Sequence, residues 1–141
     1  MQQHLVKNYM SVNVVTVEPD TSLPEASRVM KDKGFRRLPV VKGGKLLGIV
    51  SLSDVHEAEP SDATSLTVWE LTYLLSNLKV EKIMSSNPVT VHDTATLGDV
   101  AKIMLEKKIG GIPVVDAANQ LIGIITESDV FRAVVAEWDK T

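Results

Sequence analysis

The sequence predicts a mixed α/β (α+β) fold, built from tandem β-α-β-β-α repeats related by a pseudo-twofold axis. Two observations predict it. GIVSLSDV at residues 48–55 returns as GIITESDV at residues 123–130. Upstream, Met10-Ser11, Val15-Thr16-Val17, Met30 and Pro39-Val40-Val41 recur 74 positions later (84 − 10) as Met84-Ser85, Val89-Thr90-Val91, Met104 and Pro113-Val114-Val115. Past KGGK and DAANQ the offset becomes 75 (123 − 48), and a hairpin loop tolerates that one extra residue.

Each repeat begins with a short β-rich piece, Val14 to Val17 or Val89 to Val91. Ser22-x-x-Glu25 and Thr96-x-x-Asp99 then read as capping boxes that start a helix. The helical faces are Leu23, Ala26, Met30 and Leu97, Val100, Met104, at i, i+3, i+7 spacing, and Gly34 ends the first helix in a left-handed turn. Leu38–Val41 with Leu46–Val50, and Ile112–Val115 with Leu121–Ile125, follow as strand pairs turned by Gly43-Gly44 and Ala118-Asn119. A second helix follows each SDV. So small a repeat buries too little surface alone, which predicts two sheets packed face to face around a shared core. The unbroken apolar runs LLGIV and LIGII suit strands covered on both faces.

The repeats are assigned to residues 6–59 and 80–138, with a linker over residues 60–79. Pro60 and the Ser/Asp/Ala/Thr stretch after it break the chain, and Thr67-x-x-Glu70 opens a helix carrying Trp69, Leu71, Tyr73, Leu74, Leu75 and Leu78. Apolar residues nearly surround this helix. Two readings stand: packing against its own domain, or a part in a subunit interface, where Trp and Tyr are enriched.

The composition narrows the function. With 44% hydrophobic and 23% charged residues, the 141-residue chain is ordinary for one soluble globular domain. It has no cysteine, which excludes disulfides, thiolate metal sites and a Cys nucleophile. The N-terminus shows no apolar leader and no run approaches a membrane span, so a cytoplasmic protein without membrane contact is expected. A net charge of −3 without a Lys/Arg block argues against nucleic acid as a partner. His4, His56 and His92 share no metal-ligand spacing, and no nucleophile–base set or Gly-rich phosphate loop is present. No enzyme, catalytic residue, metal or catalytic cofactor is expected. His92, at a strand end, reads as a surface turn residue, with contact to a ligand as the alternative.

Two ordered copies, each with a hydrophobic-Pro-Val-Val strand and a Gly-Ile-hydrophobic-Ser/Thr-x-x-Asp ending, resemble a CBS-domain pair (the cystathionine β-synthase regulatory domain, or Bateman module). The resemblance runs from about residue 6 to residue 136, and is to the stand-alone bacterial proteins with no attached enzyme. It implies a regulatory sensor that binds adenosyl ligands (AMP, ADP or ATP, with NAD and S-adenosylmethionine as alternatives) in clefts between the repeats. It also implies pairing of two modules into a flat homodimeric disc, read by an unknown regulated protein. An interaction module with empty clefts is the rival reading.

The repeated ending carries the site. Ser51 or Thr126 stands where a strand passes into a helix, so its hydroxyl can cap backbone N–H groups, contributing about 1 kcal/mol. Asp54 or Asp129 can complete a capping box, although such boxes prefer the longer Glu or Gln. A carboxylate at a strand's carboxyl edge can instead accept both hydroxyls of a ribose cis-diol. The two roles are compatible, and Ser53 and Ser128 belong to the same motif. Thr16-Val17 and Thr90-Val91 supply strand edges for a base, and Leu38-Pro39 and Ile112-Pro113 supply apolar walls.

Phosphates need cations, and there the copies diverge. Arg36-Arg37 precedes Leu38-Pro39, whereas Gly110-Gly111 holds the same place in the second copy. The resemblance puts Arg36 or Arg37 near the ligand tail, serving the other copy's ribose. Arg132 stands one turn after Asp129, where the first copy has Glu57, and can reach a phosphate near Asp129 or pair with Glu127 or another surface carboxylate. Gly110-Gly111 leaves room beside the strand, while the helix after Ser51 carries His56, Glu57 and Glu59, whose two carboxylates add negative charge unfavourable to a phosphate tail. The Asp129 cleft is therefore expected to be the better ribose site.

Overall fold

A computed structural model describes residues 4–59 and 65–139. The predicted break at Pro60 and the four residues after it lie outside them. Eleven elements follow in chain order: α1 (Leu23–Lys33), β1 (Arg37–Lys42), β2 (Lys45–Ser51), α2 (Leu52–Ala58), α3 (Val68–Asn77), β3 (Ser85–Ser86), β4 (Val91–His92), α4 (Leu97–Lys107), β5 (Gly111–Val115), β6 (Leu121–Thr126) and α5 (Glu127–Asp139). They form two three-stranded sheets, ordered β1-β2-β3 and β4-β5-β6.

Local chemistry sets the ends of these elements. Ser22 Oγ accepts from Glu25 N–H at 3.3 Å to start α1, and Gly34, at φ +74, ends it. Thr96 and Asp99 close a full box at α4, which ends instead on a left-handed Lys108. Gly43 and Gly44 both have positive φ, which a two-residue hairpin turn between Lys42 and Lys45 requires. The longer second hairpin substitutes side-chain chemistry: Asp116 Oδ1 accepts from the N–H groups of Ala118 and Gln120, both at 2.9 Å.

The chain divides into two compact units, Val15–Pro88 and Met1–Val14 with Val89–Thr141. The repeats therefore exchange their leading segments. Val6 is buried with Val91, Leu97, Val100 and Ile112 of the second repeat; Val80, its counterpart, is buried with Val17, Leu23, Leu38 and Val50 of the first. The docking bonds repeat as well. Leu97 N–H donates to His4 O at 2.8 Å, and Leu23 N–H donates to Leu78 O at 3.0 Å. Ser11 pairs with Ile124, as Ser85 pairs with Ile49. A half-buried side-chain chain adds to the first docking: Tyr9 Oη and His4 Nδ1 are 2.8 Å apart, and His4 Nε2 and Glu137 Oε1 are 2.9 Å apart.

Two expectations are corrected here. The shared core is instead two cores, one in each unit, and each draws on both repeats. The runs in β2 and β6 are not covered throughout. Leu46, Gly48 and Val50 are buried while Leu47 is exposed, and the strand buried along its whole length is β5. The helix at residues 68–77 forms with Thr67 Oγ1 accepting from Glu70 N–H at 3.1 Å. Of its apolar set, Leu71, Leu75 and Leu78 are half-buried; Val68, Trp69, Tyr73 and Leu74 are exposed. Among the described residues no helix is long and apolar enough to cross a membrane.

Candidate functional site

In the first unit, the residues singled out from the sequence gather at one end of the sheet. Val17 N–H donates to Pro39 O at 3.0 Å, and Val41 N–H donates to Val17 O at 2.9 Å, which places Thr16 beside the start of β1. Across β1, Arg37 faces Ser51, Leu38 faces Val50 and Pro39 faces Ile49. Leu52 N–H donates to Arg36 O at 2.7 Å, tying the strand exit to the entry of β1. Leu38 and Pro39 are buried, Arg37 is half-buried, and Arg36 and Ser53 are exposed.

The second unit repeats the arrangement. Val91 of β4 pairs in parallel with Val114, which sets Thr90 beside the start of β5. Gly111 faces Thr126, Ile112 faces Ile125 and Pro113 faces Ile124. Glu127 N–H donates to Gly110 O at 3.1 Å. Gly111, Ile112 and Pro113 are buried and Ser128 is exposed. His92 lies on β4 rather than in a turn, its Nδ1 3.1 Å from Val115 O.

The two carboxylates differ. Ser51 N–H donates to Asp54 Oδ2 at 2.9 Å, and Asp54 N–H donates to Ser51 Oγ at 3.0 Å, so aspartate closes this box despite its shorter arm. Among the described residues, Asp54 Oδ1 receives no protein hydrogen bond. Asp129 is 2% exposed and more heavily engaged. Its Oδ2 accepts from Thr126 N–H at 2.8 Å and from the Thr126 hydroxyl at 3.1 Å. Its Oδ1 accepts from Arg132 Nη2. The threonine hydroxyl thus donates to the carboxylate, where the serine hydroxyl accepts from the helix.

The sequence leaves Arg132 between a phosphate and a surface carboxylate such as Glu127; the structure pairs it instead with the buried Asp129. The i, i+3 spacing of the two residues on one helix is the signal that points to this pair. The turn of the Thr126 hydroxyl toward the carboxylate has no sequence signal.

The family model described as CBS domain matches residues 6–61 and 80–136. The chain belongs to the CBS-domain family. MJ1225 of Methanocaldococcus jannaschii is 32% identical over 138 residues, which is 93% of this chain and 47% of that protein. The chain thus spans about half the length of MJ1225, whose crystal structure superposes with a TM-score of 0.82. CBSX2 of Arabidopsis thaliana, solved in complex with AMP, is 32% identical with a TM-score of 0.79, covering 94% of this chain and 97% of that one. The CBS-domain pair of MJ0100 was solved with 5′-methylthioadenosine and S-adenosyl-L-methionine. It is 28% identical with a TM-score of 0.76, covering 96% of this chain and 99% of that one. The two CBS repeats form the mixed α and β architecture of these relatives, with two three-stranded sheets and five helices among the described residues.

Proposed function

We propose that this CBS pair is a non-catalytic, cytoplasmic sensor of the stand-alone bacterial type, which binds adenosine-bearing ligands of the AMP, ADP or ATP kind. One observation carries the reading. At both strand exits a Ser/Thr-x-x-Asp pair stands beside a buried hydrophobic-Pro strand and a neighbouring strand edge. A ribose cis-diol can donate to the carboxylate, while the base takes the apolar wall and the strand's backbone groups. Asp54 Oδ1 is available for the first of these bonds. The AMP complex of CBSX2 supports this ligand class.

Binding would stabilise the module by mass action, about 2.7 kcal/mol at a hundredfold excess over the dissociation constant. A partner protein that prefers the bound form would then respond. We also propose a homodimer, supported by the exposed Trp69, Tyr73, Phe131 and Trp138.

The test is a thermal-shift panel of AMP, ADP, ATP, NAD and S-adenosylmethionine on the wild type, Asp54→Ala and Asp129→Ala. An adenine nucleotide should raise the melting temperature of the wild type, and the double variant should not respond. An equal shift in all three proteins and the double variant would remove both carboxylates from the site. A second reading, a sulfonium sensor, is favoured by the exposed Glu57 and Glu59 on the Asp54 side and by the ligands of MJ0100. It predicts the largest shift with S-adenosylmethionine. A module that works by association alone predicts no shift with any of the five.

A further inference from the structure

We infer that Arg132 is a latch that makes the Asp129 site selective for nucleotides over nucleosides. This rests on the adenosine-binding reading above and adds a rule for which ligands the second site accepts.

Asp129 is fixed: it is buried, and both Thr126 donors hold its Oδ2. Oδ2 already accepts twice, so a ribose hydroxyl must reach Oδ1, where it competes with the charge-assisted bond from Arg132. The Arg132 side chain is 61% exposed, so it can swing away without disturbing the core. A nucleoside that takes Oδ1 breaks a charge-assisted bond and gives the guanidinium nothing in return. A nucleotide brings its own anion. Once displaced, the guanidinium can bind the phosphate bidentately, so the ligand replaces the pair it broke. In the closed state the latch lowers apparent affinity by the fraction of molecules in which Oδ1 is free.

The first repeat shows the contrast. Glu57 holds the position of Arg132, and Asp54 Oδ1 has no protein partner among the described residues. The Asp54 site therefore has no latch to open and no cation at that place to reward a phosphate. One duplicated motif yields two ligand rules.

Calorimetric titration with AMP and with adenosine, on full-length protein carrying Asp54→Asn to isolate the second site, tests this. With Arg132 present, AMP should bind about tenfold or more tighter than adenosine, the scale of one charge-assisted hydrogen bond. Arg132→Gln should collapse the ratio, with adenosine gaining affinity and AMP losing it. Arg132→Lys, which keeps the charge, should retain most of the preference. An unchanged ratio in Arg132→Gln, equal losses for both ligands, or a lysine variant that behaves like glutamine would each overturn the latch while leaving the sensor reading intact. If the Asp54→Asn protein binds neither ligand while the wild type binds AMP, the Asp129 site itself fails, and the latch with it. If the wild type binds neither, the sensor reading fails as a whole.

Discussion

Met10 lies across Gly123 so closely that a β-carbon on the glycine would stand 2.7 Å from the methionine sulfur. The first repeat has the same contact in exchanged form, with Met84 sulfur 2.8 Å and Ser85 O 2.6 Å from a β-carbon on Gly48. Both glycines are buried mid-strand, and in each the neighbour is the leading segment of the other repeat. Gly48→Ala should therefore destabilise the protein by about 1–3 kcal/mol through overpacking. Gly123→Ala should cost less, because the backbone atom there, Ser11 O, stands at 3.0 Å and the closer methionine is flexible enough to yield. Urea denaturation checks the order, and Met10→Ala should rescue Gly123→Ala at least in part. Additive effects of the two substitutions would disprove the contact.

Val6 and Val80 are each fully buried in the unit that holds the opposite repeat's helices. Truncation of either to alanine should cost about 2 kcal/mol, from lost burial plus a cavity. The location of the damage is the sharper expectation. In Val6→Ala, hydrogen exchange should quicken first in α4 and β5; in Val80→Ala, it should quicken in α1 and β1. Damage confined to each valine's own repeat would contradict the exchange.

Removal of the two carboxylates should not cost the same. Asp54→Ala loses one acceptor at a half-buried helix start, about 1 kcal/mol. Asp129→Ala strands the Thr126 N–H and hydroxyl and releases Arg132, so about 2–3 kcal/mol is expected. Chemical denaturation without ligand measures both, and a costlier Asp54→Ala would refute this ranking.

Arg37 is half-buried opposite Ser51, and no ion pair holds it among the described residues. Arg37→Ala should weaken ATP binding by about tenfold and leave adenosine binding within a factor of two. Parallel titrations with the two ligands decide it. Equal loss for both would assign Arg37 to the base or the sheet instead of the phosphate tail.

Much of this was legible in the chain. The 74- and 75-residue offsets located both helices and both hairpin strands of each repeat, since duplicated residues need duplicated surroundings; the leading β pieces shrink to a lone bridge at Val17 and to β4, and β3 was not foreseen. Ser22, Thr96 and Gly34 marked helix ends through side-chain and backbone chemistry that acts within a few residues. The exchange was not legible. Val6-Lys7 and Val80-Glu81 are short and weakly patterned, and their burial is decided by contacts more than 70 positions away in sequence. The site divides along the same line. Position and residue type announced Asp54 and Asp129, but which oxygen of Asp129 each neighbour takes depends on side-chain rotamers that no repeat encodes. Left-handed Lys108, where glycine would be the default, was silent for a related reason: the surrounding turn imposes the backbone shape.

The reciprocal docking of Val6 and Val80 has a consequence for any half of this molecule. A peptide cut between the repeats carries a knob with no socket of its own and a socket its own knob does not fill. It can complete its core only by coupling to a second peptide, at a rate set by concentration. In the intact chain the tether makes that encounter unimolecular, so the duplicated gene product reads as an obligate pair folded into one strand of polypeptide.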